Sequence, residues 1–343
     1  MRLGIIARSD NTGLGNQTKE LVDMLKPAKV MLINSQPFNK NKQHPEWYDG
    51  YDCHYIRGFP KTHDIQSFLK NIDGVLTCET FYGSTFIPMA KKRGIKTFLQ
   101  YNYEFLDYLQ NPTLELPDVL LAPSLWGFEA VMEAFGSKSR VVHLPPPSTP
   151  DLFSKARIEN VKKDHKRLLH VAGKAAHMDR NGTNTIIEML KYSEADYEIV
   201  IKSQSPLDIN TKDSRLSIDT SNPENREDLY FGFDAMVLPR RYAGLCLPMN
   251  EALLSGLPVF MTDISPNNSI LSEEWLVKSE KINEFKARTM IDVYEANPEL
   301  LANLIDNYVN DLNKIYQKQK AFDIGYNNFS INVLKDKYLD ILK

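Results

Sequence analysis

The sequence predicts an α/β protein of two domains, each built on a parallel sheet. Three observations lead there. Short runs rich in valine, isoleucine and leucine alternate with amphipathic segments along most of the chain, as strands and covering helices do in parallel α/β domains. A proline-rich crossing, HLPPPSTP at 143–150, divides the chain and marks a domain boundary. Residues 235–263 read strand, glycine loop, helix and strand in that order. At 343 residues each half is long enough to bury its own core.

Composition narrows the class. Apolar residues at 42% with charged residues at 25% are ordinary for a soluble globular chain. No apolar run approaches the ~18–20 residues a membrane helix needs. The opening MRLGIIARSD turns polar too soon for a secretory signal and reads as a first strand. Cys53, Cys78 and Cys246 are too few and too scattered for a disulfide framework or a zinc knuckle, so a reducing cytoplasm is the expected setting. A net charge of −3 supplies no global field toward nucleic acid or anionic lipid, although a local patch would suffice for a polyanionic acceptor.

In chain order, residues 3–7 form the first predicted strand. The loop 8–16 carries Gly13 and Gly15, and 17–25 continues as an amphipathic helix. A Gly-x-Gly between first strand and first helix suits close backbone approach to a diphosphate or sugar; the same pattern also makes a plain tight turn. Strands are predicted at 30–34, 74–78, 96–101 and 118–122, with a helix from the Ser124-Leu125-Trp126 segment to Phe135. The loop 39–51, with His44, Trp47 and Tyr48, lines an acceptor site or is plain surface. Glu79 follows the 74–78 strand, and Tyr103 and Glu104 follow the 96–101 strand. Those are carboxyl edges, where open α/β sheets bind ligands. Tyr82, Tyr103 and Glu104 are accordingly acceptor-side candidates; strand-end carboxylates also cap helices.

The second half opens on a charged segment, 157–167, read as a solvated lead-in to a strand at 168–172. Gly173-Lys174 and Arg180-Asn181-Gly182 lie in the next loop, before a helix at 184–190. Two cations flanking a strand-to-helix loop can grip a diphosphate and offset charge growing on a leaving group. A strand at 198–202 ends on Lys202, another donor-side candidate. The polar stretch 203–222 holds a strand at 216–219, and 226–231 suits a short helix. The strand 235–238 leads through Pro239 into a loop of residues 240–248. A helix at 249–254 stops at Ser255-Gly256, with Pro258 beyond, and a strand at 258–262 follows. Free N–H groups and the helix dipole make this loop a site for anionic groups, with Glu251 placed in the first helical turn. Residues 285–293 and 298–319 are read as helical, and 329–342 as a final amphipathic helix.

The central stretch carries a resemblance. Ala243-Gly244-Leu245-Cys246-Leu247-Pro248-Met249-Asn250-Glu251, then Ala252, Ser255-Gly256, Pro258-Val259 and Thr262-Asp263, resembles the nucleotide-sugar signature of retaining GT-B glycosyltransferases. These form the glycogen-synthase-like and sucrose-synthase-like superfamily. The resemblance implies two Rossmann-like α/β/α domains facing across a cleft, with a C-terminal helix crossing back to the N-domain. The implied divisions are 1–148 for the acceptor side, 149–325 for the nucleotide-sugar domain and 326–343 for the crossing helix.

It further implies a UDP-sugar donor held by Gly13, Gly15, Lys174, Arg180, Lys202, Arg240, Gly244, Leu245, Cys246, Leu247 and Glu251, the last on the ribose hydroxyls. Lys174, Arg180 and Glu79 are the implied catalytic residues, with no metal and no further cofactor. The family's first glutamate falls on Ala243 and is missing, as is a histidine between His63 and His143. In the Gly-Arg-x4-Lys-Gly pattern the two cations are exchanged and one residue is added. Compact transferases lacking that glutamate resemble phage-type enzymes that glycosylate modified DNA bases. A DNA base, a glycan or a small molecule are thus the acceptors in view. The other reading is a non-catalytic sugar-nucleotide- or glycan-binding module, favoured by Ala243; an epimerase of the same fold shares these motifs.

Overall fold

The computed structural model describes the chain except residues 36–41, 107, 109–110, 112–113, 174–176, 208, 210–211 and 222. The chain divides into two compact units. Unit 1 comprises 1–148, 287–289 and 331–343, and unit 2 the remainder of 149–330.

Unit 1 contains β1 (Leu3–Ala7), α1 (Gly13–Leu25), β2 (Lys29–Asn34), β3 (Cys53–Arg57), α2 (Thr62–Phe68), β4 (Gly74–Cys78), α3 (Phe86–Lys91), β5 (Lys96–Gln100), β6 (Val119–Ala122), α4 (Phe128–Phe135) and β7 (Arg140–His143). The strands order as β3-β2-β1-β4-β5-β6-β7, with every pairing parallel. Strand side chains alternate between faces, so Ile6 packs with α2, α3 and α4 residues such as Phe68, Phe86 and Val131. Ile5 joins Leu21 and Val22 of α1 on the other face.

Unit 2 contains α5 (Ser154–Lys162), β8 (Arg167–Gly173), α6 (Thr183–Met189), β9 (Glu198–Ser203), β10 (Leu216–Asp219), β11 (Ala235–Leu238), α7 (Leu247–Leu254), β12 (Val259–Thr262), β13 (Leu276–Val277), β14 (Ser279–Lys286), β15 (Met290–Ala296), α8 (Pro298–Val309) and α9 (Lys314–Phe329). Its sheet orders as β10-β9-β8-β11-β12-β13, again all parallel. Both sheets are doubly wound. In each, the strand order reverses beside the first strand, between β1 and β4 and between β8 and β11, and that is where such sheets open a ligand crevice at their carboxyl edge.

The last helix, α10 (Ile331–Ile341), belongs to unit 1. Leu334, Tyr338 and Leu342 enter the core beside α1. Tyr338 ties it down: its hydroxyl donates to Pro145 O (2.8 Å) and accepts from Gln100 Nε2 (2.8 Å), while Gln100 Oε1 accepts from Gln17 Nε2 (2.6 Å).

Several sequence expectations need correction. Residues 285–293 are not helical: β14 and β15 form an antiparallel hairpin. Ile291 and Val293 are buried while Met290 and Asp292 are exposed, a period of two that the helical reading overlooked. The 298–319 helix breaks at 310–313, where two asparagines and an aspartate compete for backbone hydrogen bonds. The final helix starts at Ile331 because Ser330, at the end of α9, is extended. The lead-in at 157–167 is largely helix α5. Helix α1 begins at Gly13, four residues early, since Thr12 caps it by accepting from Gly15 N (3.2 Å).

Candidate functional site

In unit 2 the crevice position is built by two loops that are fastened together. The β8–α6 loop leaves the strand at Gly173, whose φ is +66°. It turns through Met178 and Asp179, both at positive φ, a backbone state uncommon outside glycine and concentrated at functional sites. Asp179 then closes the start of α6, its carboxylate accepting from Thr183 N (3.0 Å) and Asn184 N (2.8 Å). Gly182 lies so close to the end of β11 that a Cβ would stand 2.2 Å from Pro239 O. Arg241 N donates to Arg180 O (2.9 Å) and Arg241 Nη1 to Met178 O (2.8 Å). Arg180 Nη2 donates to Ala243 O (2.5 Å), and its guanidinium lies 4.8 Å from the Tyr242 ring. Lys174 lies outside the described residues.

The β11–α7 loop supplies the remaining groups. Gly244 is at φ +132°, and Cys246, buried with a free thiol, is the N-cap of α7 without a side-chain capping bond. Leu247 and Pro248 are already helical, so Glu251 sits in the second turn rather than the predicted first. Glu251 is 6% exposed. Tyr230 Oη donates to its Oε2 (2.7 Å) and Arg226 Nη1 lies 3.3 Å from its Oε1. Tyr230 and Arg226 went unnoticed in the sequence because they lie 21 and 25 positions away, with no motif to join them. Lys202, at the end of β9, pairs with Asp219 of the neighbouring strand, which holds that carboxyl down at about 2. Deep under the loops, His170 bridges Val237 O (2.8 Å) and Thr183 Oγ1 (3.0 Å), and burial lowers its pKa.

Unit 1 has its own crevice position. Gly15 is dictated by contact, since a Cβ there would stand 1.8 Å from Asp10 O; Gly13 is exposed. Asp10 is buried and takes hydrogen bonds from Arg8 Nε (3.2 Å) and Thr12 Oγ1 (2.7 Å). Across the switch point, Glu79 and Tyr82 both adopt positive φ, +64° and +57°. Asn102 Nδ2 donates to Glu79 Oε1 (2.8 Å). Burial raises the Glu79 carboxyl against the opposing pull of Arg8 and Asn102, and Glu104 adds to the rise. Beside it opens a cavity of about 210 Å³, walled by Phe81, Ile87, Leu99, Leu106 and Leu114. Tyr103 packs edge-on to Trp126, centroids 5.3 Å apart. Tyr48, which the sequence placed in an acceptor-side or plain surface loop, is a core side chain, and so are Phe81 and Tyr101. Arg8, Asp10 and Asn102 were missed: each reads as an ordinary loop residue until the sheet order brings their strands together.

This architecture recurs among solved structures. A glycosyltransferase from Rickettsia africae superposes with a TM-score of 0.68 at 15% identity, covering 99% of this chain and 97% of its own. HepE of Anabaena, in complex with UDP, gives 0.67 at 12% identity, covering 100% and 99%. An α-glucosyltransferase in complex with UDP gives 0.60 at 11% identity, covering 100% and 99%. The fold is GT-B. No protein-family profile and no curated protein sequence matches the chain. Among the described residues no three His, Cys, Asp or Glu side chains are grouped to hold a metal, and no helix is long and apolar enough to cross a membrane.

Proposed function

We propose that the chain is a retaining glycosyltransferase that moves a sugar from a nucleoside-diphosphate sugar, with UDP as the nucleotide, to a hydroxyl acceptor. The observation that carries this is the pair of fastened loops at the unit 2 switch point. A glycine loop, the N-terminus of α7 and Arg180 and Arg240 converge there, with Glu251 on the same helix. Donor diphosphate belongs on those cations and N–H groups, and the ribose hydroxyls on Glu251. Two of the similar structures contain UDP, which supports uridine. The acceptor belongs on unit 1, at the carboxyl edge bearing Glu79, Tyr82, Tyr103 and Glu104.

In the reaction the C1–O bond to the β-phosphate breaks and the acceptor oxygen bonds to C1 on the same face. The acceptor proton passes to a leaving diphosphate oxygen, so no separate base is required. The protein's part is orientation and charge stabilisation. Incubation with a donor panel and with glycans, small alcohols and DNA carrying hydroxylated bases, read by mass spectrometry, tests the proposal. Free nucleoside diphosphate with a mass-shifted acceptor is the expected result. Tight donor binding without turnover of any acceptor would instead identify a binding module, the reading that Ala243 favours.

A further inference from the structure

The amino edge of the unit 1 sheet carries an open row of cations. All its pairings are parallel, so the segments entering its strands lie along one edge, opposite the carboxyl edge that bears Glu79. Lys26, Lys70, Lys92 and Lys138 each follow the end of a helix, α1, α2, α3 and α4 in turn. Arg2 immediately precedes β1 and Arg140 is the first residue of β7. All six are exposed, and none pairs with an acid among the described residues. From β2 to β7 the strand spacing of ~4.8 Å strings these charges over roughly 24 Å. The acids of the same edge are engaged with the fold. Asp73 accepts from Arg2 N (2.7 Å), Asp118 from Thr97 N and Oγ1 (both 2.8 Å), and Glu115 lies 3.5 Å from Lys91. Asp49 and Asp52 stand outside the row, before the edge strand β3.

Cations complement the negative ends of helix dipoles, and unit 2 shows that this does not account for the row. Its α7 runs into β12 through Ser255-Gly256-Leu257-Pro258, with no cation at all. At its strand starts Lys166 pairs with Asp196 (3.0 Å), Arg167 with Glu198 (2.9 Å) and Arg215 with Asp213 (2.7 Å). Parallel topology therefore does not demand open cations; the unit 1 sequence supplies them.

We propose that this edge docks unit 1 on an anionic lipid surface. With a net charge of −3 for the whole chain, the row is a local device. Lysines predominate in it, and a flexible point charge suits a diffuse anionic plane, whereas the arginine fork suits an individual phosphate. Close contact with nucleic-acid phosphates draws on N–H groups at helix N-termini; at this edge the helices present their carbonyl ends. The segments carrying the six cations contain no aromatic residue on which a base could stack. Met1, 51% exposed beside Arg2, is their one exposed large apolar side chain, so attachment is electrostatic and reversible. Strands of five residues set the two edges roughly 17 Å apart, which leaves the carboxyl edge in water when the amino edge is docked. The proposal does not rest on the donor reading.

Cosedimentation of the full chain with vesicles tests it, using phosphatidylcholine alone and phosphatidylcholine with phosphatidylglycerol in equal parts. Binding to the mixed vesicles only, weakening as salt rises, is expected, and this needs no variant. Lys70→Glu, Lys92→Glu and Lys138→Glu together should weaken it roughly 100-fold, about five-fold for each lysine taken from an anionic surface. Lys162→Glu, Lys212→Glu and Lys278→Glu make the same charge change on exposed lysines of unit 2 and should keep near-parental binding. No binding to either vesicle, equal binding to both, or an equal loss in the two triple variants overturns the proposal. A nucleic-acid duplex of random sequence serves as competitor. Tighter binding to the duplex, lost in the first triple variant, would make this edge a nucleic-acid surface and overturn the lipid assignment.

Discussion

Glu251 shows how a single side chain gains its direction from its neighbours. A carboxylate offers about four acceptor positions, and Tyr230 and Arg226 approach different oxygens of it, fixing its plane within a buried site. Glu251→Ala is therefore expected to weaken UDP binding strongly with the fold intact, at about 1.5–3 kcal/mol for each hydroxyl bond lost. Calorimetry with UDP checks it, and an unchanged affinity removes Glu251 from the site. Lys174 and Arg180 are expected to act on the chemical step, since charge on the β-phosphate grows as the glycosidic bond breaks. Alanine at either should lower turnover ~10²–10³-fold, the effect of losing one preorganised donor, with a smaller change in donor affinity. Single-turnover measurements at saturating donor decide this, and parental rates in both variants would reduce them to surface cations. If the two cations stand in place of a metal, as proposed, excess EDTA should leave turnover nearly unchanged; a loss restored only by magnesium or manganese would overturn that assignment. Of these residues Glu251 and Gly244 could be named as candidates because they fall in one contiguous pattern, and Arg180 because it falls in a second, between Gly173 and Gly182. Arg226, Tyr230 and Asn102 could not, since only the folded sheet brings them beside their partners.

Elements were legible where burial on both faces imposes an unbroken apolar run, as in β1, β4 and β11, whose residues are all buried. Edge elements were harder. β3 and β7 carry exposed polar residues, and β14 is exposed along most of its length, so neither an apolar run nor a clean alternation announces them. Helix α10 was legible as an amphipathic helix, but its polar anchor was not, since Tyr338 and Gln100 are 238 residues apart. That anchor makes a prediction. Tyr338→Phe keeps the ring and leaves Gln100 Nε2 and Pro145 O each without one partner. Buried groups so deprived cost roughly 1–3 kcal/mol each. Urea denaturation should show a destabilisation of that order, and the C-terminal residues should become the first site of limited proteolysis. Equal stability and an unaltered cleavage pattern would mean that apolar contacts of Leu334 and Leu342 hold the helix alone.

At the scale of the whole molecule, the two doubly wound sheets place their switch points under polar loops, and His170 lies beneath one of them as a buried, uncharged link between β8, β11 and α6. Its ring is fully buried and burial lowers its pKa from the ordinary 6.5. The sign of the resulting pH dependence follows directly. Above 6.5 the imidazole is neutral folded and unfolded, so titration of His170 contributes nothing there. As pH falls below that value the unfolded chain binds a proton that the folded chain refuses, and stability declines. The limiting slope for one such group is about 1.4 kcal/mol per pH unit. His143, lowered by burial and by Lys337, acts in the same direction, so a variant is needed to isolate His170. Asparagine retains a donor for Val237 O and cannot take a proton. His170→Asn should be less stable than the parent at pH 8, having lost the bond with Thr183 and part of the ring's packing. Between pH 6.5 and 5 the difference should shrink, because only the parent pays the protonation penalty. Urea transitions of both proteins across that range give the result. Parallel curves would show that His170 is protonated as readily in the folded protein as in the unfolded chain.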